Sequence, residues 1–266
     1  MWQGYAILVA AAVIPALFLL VQVYRADRLE KEPFGLLLNL VLLGILSTAL
    51  ASLAEQLGDL VLSYFIPEGT LEYDLILYFL VVAVAEEGFK YLLLKNRTWN
   101  SPHFNCQFDG LVYAVFVSLG FALWENIGYV LSYGLGAAAA RALTAVPGHA
   151  CFGVFMGSWY GAAKRLSMAG LEEESRSALR RAMWIPVLLH GCYDFIAVRQ
   201  ETGLTLGFLA FVVLLFIFSI RQVKRAAKND CYIVSMDAGD AEEEYETFDA
   251  KEAEYEEEDE TEDYSD

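Results

Sequence analysis

Two adjacent glutamates and a lysine, Glu86-Glu87-Gly-Phe-Lys90, interrupt a stretch that is otherwise almost wholly apolar. Glu125 with Asn126, then His149, then His190 with Asp194, interrupt three later stretches in the same way. These side chains suit acid–base and metal chemistry. A carboxylate can take a proton from water, an imidazole can hold a proton or a metal ion, and amide or ammonium donors can steady a developing oxyanion.

Spacing adds geometry. Glu86 and Lys90 stand at i, i+4, so on a helix they share a face and can pair. Glu87 is then turned about 100° away. His190 and Asp194 have the same spacing, and the aspartate can hold the imidazole in one tautomer. Asn126 can donate to a neighbouring carboxylate. Cys151 and Cys192 each follow a histidine by two residues, about 200° round a helix, so neither pair can grip one ion. They read as helix-packing cysteines. With Cys106 and Cys231 they make no CxxC pair, and the expected topology leaves no disulfide outside the cell.

Several chemistries are excluded by missing parts. There is no HExxH zinc helix and no GxGD aspartate pair. Ser158 has no histidine on its own helical face. What remains is water activated by glutamate, in one of two versions built from the same parts. Without a metal, a glutamate is the general base, and the histidines and Asn126 stabilise the oxyanion. With a metal, His149, His190 and Glu125 supply an open three-ligand site of the kind zinc takes, and another glutamate is the base.

The elements that must position these groups are membrane helices. Of the 266 residues, 57% are hydrophobic, and they come in unbroken blocks rather than at amphipathic periods. A bilayer core of about 30 Å needs roughly 20 apolar residues per helix. Seven spans are expected, at 4–24, 35–55, 74–94, 108–132, 139–162, 182–200 and 204–220. The fold class is therefore an all-α, polytopic membrane helical bundle covering residues 1–228. Residues 60–66 read equally as an interfacial turn or as a helical extension of the second span. Fourteen Lys and Arg residues fall in the loops of one side and two, Arg141 and Arg199, in those of the other. This bias predicts an external N-terminus and a cytoplasmic C-terminus.

The net charge of −17 belongs almost entirely to one segment. From Asp237 to Asp266 there are 17 acidic residues and one lysine, a net −16, which leaves −1 for the rest. Residues 229–266 are expected to be a disordered, cytoplasmic acidic tail. Such a tail argues against nucleic acid or anionic lipid as partner.

Ionisable groups at bilayer depth are costly and mark function by default. On the expected spans, Glu86, Glu87, Glu125, His149 and His190 fall within roughly 8 Å of the midplane. Singly, a Glu–Lys pair can be a structural clasp and a histidine a packing residue. Four helices offering polar groups in one layer are harder to explain by packing. Two alternatives use the same facts: an ion or proton transporter with a midplane Glu/His/Lys site, and a scaffold presenting its acidic tail. No internal repeat supports the first, and the second leaves the buried glutamates unexplained.

The ordered motifs resemble a known family. Glu86-Glu87-Gly-Phe-Lys90 matches EExxK, Gly120-Phe-Ala-Leu-Trp-Glu125-Asn126 matches GFxxxEN and follows Asp109-Gly110, and His190-Gly-Cys-Tyr-Asp194 matches HxxxD. Over about 34–200 the chain resembles the PrsW family of intramembrane proteases, which is related to the CAAX- and bacteriocin-processing membrane proteases. The resemblance implies a bacterial plasma-membrane endopeptidase with a membrane-protein substrate, such as a single-pass anti-sigma factor cut at site 1. It implies that Glu86, Glu87, Glu125, His149 and His190 are catalytic or metal positions, with Lys90, Asn126 and Asp194 supporting them.

Overall fold

The computed structural model describes residues 2–199 and 202–233, with side chains described for 6–199 and 205–233. The elements are α1 (Trp2–Ala26), α2 (Phe34–Phe65), α3 (Leu71–Ile76), a π-helical segment (Leu77–Val82), α4 (Ala83–Thr98), α5 (Asp109–Tyr133), α6 (Leu135–Leu143), α7 (Ala145–Met168), α8 (Glu172–Ala197) and α9 (Thr202–Lys228). Among the described residues there is no strand, only one isolated bridge between Cys106 and Tyr232. The fold is an all-α bundle, as the apolar blocks predict.

The elements α3, π segment and α4 follow one another without a break, so seven long helical rods result among the described residues. Four regions, Ala6–Ala26, Phe34–Phe65, Asp109–Tyr133 and Thr205–Lys228, are long and apolar enough to cross a membrane by length and composition alone. The other three rods carry Glu86, Glu87, Lys90, His149, His190 and Asp194, and such groups depress hydropathy. Large apolar side chains such as Ile14, Phe18, Val213 and Phe218 are exposed on α1 and α9. These are the surfaces a bilayer would cover.

Helix α5 is the central element, buried along most of its length. It is held by backbone approach. A Cβ on Gly157 would stand 2.4 Å from Leu111 Cα, and one on Gly161 would stand 2.1 Å from the Gln107 carbonyl oxygen. The GxxxGxxxG run of α7 is thus a packing face against the start of α5. Across α5, Gly44 of α2 and Gly120 make a second close crossing, where an added Cβ would meet the Val117 or Val41 carbonyl.

Three boundaries differ from the expected spans. Helix α2 runs unbroken to Phe65, which decides for the helical extension. Helix α9 reaches Lys228, beyond the expected end at 220. The fifth span is two helices, because Thr144 leaves helical geometry at φ −125°, ψ −68°, and Gly134 at φ +80° separates the first of them from α5. The short helix α6 lies between these breaks. Beyond α9, Asn229–Ile233 run against the loop before α5, with Gln107 N–H donating to the Cys231 carbonyl and Ile233 N–H to the Asn105 carbonyl. The rest of the expected acidic tail, 234–266, lies outside the described residues.

Candidate active site

Side chains from three rods, those of α4, α5 and α7, converge at Lys90. Its Nζ, fully buried, donates to Glu87 Oε1 at 2.7 Å and to Glu86 Oε2 at 3.3 Å. It also stands 3.1 Å from His149 Nδ1 and lies 3.9 Å from the centre of the Phe121 ring. The expected Glu86–Lys90 pair therefore forms, but Glu87 shares the same ammonium at closer range. A flexible four-carbon stem reaches i−3 and i−4 together, so the 100° between the two glutamates does not separate them.

His190 of α8 completes the cluster. Its Nδ1 lies 2.9 Å from Glu87 Oε1, and its Nε2 lies 3.3 Å from Asp194 Oδ2 and 3.8 Å from Glu86 Oε2. The expected His190–Asp194 pair is thus present. Phe152 of α7 stacks on the His190 ring at 4.8 Å between centres and meets His149 edge-on. The Phe79 ring of the π segment presses on Gly191, where a Cβ would be only 2.5 Å away. These contacts fix both imidazoles on stiff elements. The π segment, whose end is marked by Ala83 N–H bonding five residues back to Tyr78, sits beside the chemistry as such turns often do.

Glu125 takes the far nitrogen of His149, with Oε2 3.0 Å from Nε2. The same oxygen accepts from Arg141 Nη2 at 2.7 Å. Asn126 does not face the cluster as expected. Its amide donates to the Ala12 carbonyl of α1, and its oxygen accepts from Arg141 Nε. Ala12 lies 114 residues away in the chain, a partner that sequence spacing could not reveal.

One oxygen or nitrogen from each of Glu86, Glu87, His149 and His190 lies within 4.8 Å of the others. All four residues are buried. The donor set is one that holds a metal ion, and Glu87 Oε2 is buried without a hydrogen-bond partner, an acceptor still to be satisfied. Glu125 lies outside this group of four, on the opposite side of the His149 ring.

Two residues near the site were not foreseen. Glu55 of α2 is in electrostatic reach of Glu125, His190, Lys90 and Asp194. It reads as the first residue of a loop only if α2 stops at 55. Arg141 reads as a loop cation unless Gly134 is taken as a helical-hairpin turn. That turn sets positions 126 and 141 level.

The position of His149 along its helix also differs from expectation. With the break at Thr144, His149 is the fifth residue of α7, about 11 Å from that helix's middle. Glu125 is eight residues from the end of α5 and His190 seven from the end of α8. The site thus lies near the start of α7, on the side of the α6–α7 break, while Glu86 and Glu87 lie near the middle of the rod formed by α3, the π segment and α4.

Comparison with known proteins shows the family. The sequence model of one family, described as PrsW family intramembrane metalloprotease, matches residues 32–220. The chain belongs to the PrsW family. It is 34% identical over 224 residues to Protease PrsW of Oceanobacillus iheyensis, covering 84% of this chain and 97% of that protein. Protease PrsW of Bacillus subtilis is 31% identical over 219 residues, covering 82% and 95%. That of Clostridioides difficile is 30% identical over 220 residues, covering 80% and 89%. No solved structure matches. Membership makes the chain a multi-pass membrane protease whose substrates are membrane proteins, and it sets aside the transporter and scaffold readings.

Proposed function

We propose that the cluster of Glu86, Glu87, His149 and His190 is the hydrolytic centre of an intramembrane endopeptidase. The observation that carries this reading is the convergence of their four donor atoms within 4.8 Å around a buried ammonium. Glu87 is fully buried and fixed by Lys90 and His190. Glu86 keeps a sliver of exposure and holds Lys90 only at 3.3 Å. Glu86 is therefore the freer carboxylate, and we assign it the general-base role toward water. In the absence of a metal, Lys90 and His190 are the donors beside the two glutamates that would stabilise the tetrahedral oxyanion. Asp194 orients His190, and Glu125 orients His149.

The donor set fits a metal ion, as the word metalloprotease in the family description implies, and zinc is the ion best matched to imidazole and carboxylate together. Glu87, His149 and His190 would hold it, and it would acidify water and polarise the scissile carbonyl. Glu125, bonded to the outer nitrogen of His149, then orients a ligand instead of being one.

The family resemblance supports a single-pass anti-sigma factor, or a similar membrane regulator, as substrate. The charge bias supports a bacterial plasma membrane with the N-terminus outside and the C-terminus in the cytoplasm. The reading is tested by reconstituting the purified protein in liposomes with a single-pass membrane substrate. Two fragments cut within or beside the substrate's span are expected. A substrate that stays whole with active-site residues intact in several lipid compositions would contradict it.

A further inference from the structure

Arg141 has no place in the motifs that carry the chemistry, yet it is wired into them. It is the outermost member of a chain of contacts that runs Arg141, Glu125, His149, Lys90, Glu87, His190. Helix α6 brings it there from between two backbone breaks, at Gly134 and Thr144. The guanidinium stacks over the Tyr129 ring, 4.0 Å from its centre. Its Nε donates to Asn126 and its Nη2 to Glu125.

We propose that Arg141 is a positioning residue that sets the tautomer of His149 through Glu125. This rests on the protease reading above. The logic is one of donors and acceptors. Arginine is always a donor, so the carboxylate beside it is held as an ionised acceptor. Glu125 Oε2 therefore requires a proton on His149 Nε2, 3.0 Å away. At the other side of the ring, His149 Nδ1 lies 3.1 Å from the Lys90 ammonium, which can only donate. Nδ1 must then carry the lone pair. Both ends select the same neutral tautomer, with its lone pair turned toward Glu86 and Glu87. The arginine's planar fork also ties Glu125 to Asn126, and through it to the Ala12 carbonyl of α1. Glu125 side chains are partly exposed, so without this clamp the carboxylate is free to turn toward solvent and the Nε2 partner is lost.

The test uses the full chain with Arg141→Gln, Arg141→Lys, Glu125→Gln and the double variant. Cleavage of the membrane substrate is measured as kcat and KM. Arg141→Gln is expected to lower kcat about 10- to 100-fold with KM little changed, the usual size of an effect exerted through an orienting partner. Arg141→Lys should recover part of that loss, because a point charge can hold Glu125 without the fork to Asn126. The double variant should be no slower than Glu125→Gln alone. A second readout is independent of activity. The chain has three histidines, so ¹⁵N-histidine spectra are simple to assign. The His149 signals should report the Nε2-protonated tautomer in the wild type and a mixture in Arg141→Gln. A kcat within twofold of wild type, a full additional loss in the double variant, or an unchanged tautomer in Arg141→Gln would each overturn the proposal. Failure of the wild type to cleave, with the tautomer as described, would count against the protease reading alone.

Discussion

Lys90 lies closer to Glu87 than to Glu86, 2.7 Å against 3.3 Å, and no part of its side chain meets solvent. A single buried ammonium therefore pairs with two carboxylates. Removing one partner of such a group leaves an uncompensated charge, which typically costs about 3–5 kcal/mol. Lys90→Met should lower the thermal stability of the detergent-solubilised protein by an amount of that order and abolish cleavage. Adding Glu87→Gln should restore part of the stability and none of the activity. Differential scanning fluorimetry on the single and double variants checks this.

The α5–α7 crossing depends on missing side chains. Gly161→Ala would put a Cβ 2.1 Å from the Gln107 carbonyl oxygen, whereas one on Gly128 meets nothing within 4 Å. Overpacking of this kind costs about 1–3 kcal/mol. Gly161→Ala should thus lower stability, and Gly128→Ala should leave it unchanged or raise it slightly, since alanine is the better helix former. Equal melting temperatures for the two variants would count against the crossing described.

The junction that docks Asn229–Ile233 should weaken as pH rises. Burial pushes the Asp27 carboxyl up to about 6, reinforced by Asp230 and Glu30 and opposed by Lys31. Burial likewise pushes Glu32 up to about 7, with Asp27 and Glu30 adding to it and hydrogen bonds from Tyr113 and Asp109 opposing. Burial raises Asp230 as well, whose Oδ1 accepts from the Phe108 and Cys231 amides. A carboxyl whose folded-state value lies above its unfolded one stabilises the fold fully below the unfolded value, and that stability is lost as pH climbs through the folded one. Amide exchange at Gln107 and Ile233, corrected for intrinsic rates, should be slower at pH 5 than at pH 8. Equal protection at both would exclude this coupling.

The donor set predicts one zinc per chain in purified protein, bound less well once a donor is gone. Elemental analysis of wild type, His190→Ala and Glu87→Ala checks this. Metal content near one in the wild type and well below it in both variants is expected. An unchanged content in the variants would place any metal elsewhere.

Much of this was legible in the sequence because burying ionisable groups in apolar helices is costly enough to leave a mark. Glu86, Glu87, His149 and His190 stand out singly, and the structure brings all four together. The i, i+4 rule finds His190–Asp194 and Lys90–Glu86. It misses Lys90–Glu87, since a long flexible stem serves two neighbours. The position of Asn126 depends on a carbonyl of α1 over a hundred residues away, a relation no local spacing encodes. Glu55 and Arg141 were hidden by boundaries. One needs α2 to run on to Phe65, and the other needs a hairpin at Gly134. Loop charge counting treats Arg141 as topology, whereas its stacking on Tyr129 and its bond to Glu125 tie it to the site.

The central claim is that Glu86 and Glu87 act together on water at a site enclosed by α4, α7 and α8. The most direct measurement is cleavage of a reconstituted membrane substrate by wild type, Glu86→Gln and Glu87→Gln, each shown to be folded by its melting curve. The expected result is a loss of about 10²–10⁴-fold in kcat for Glu86→Gln, the range for removing a general base, and a comparable loss for Glu87→Gln. Cleavage that persists near the wild-type rate in both folded variants would contradict the account.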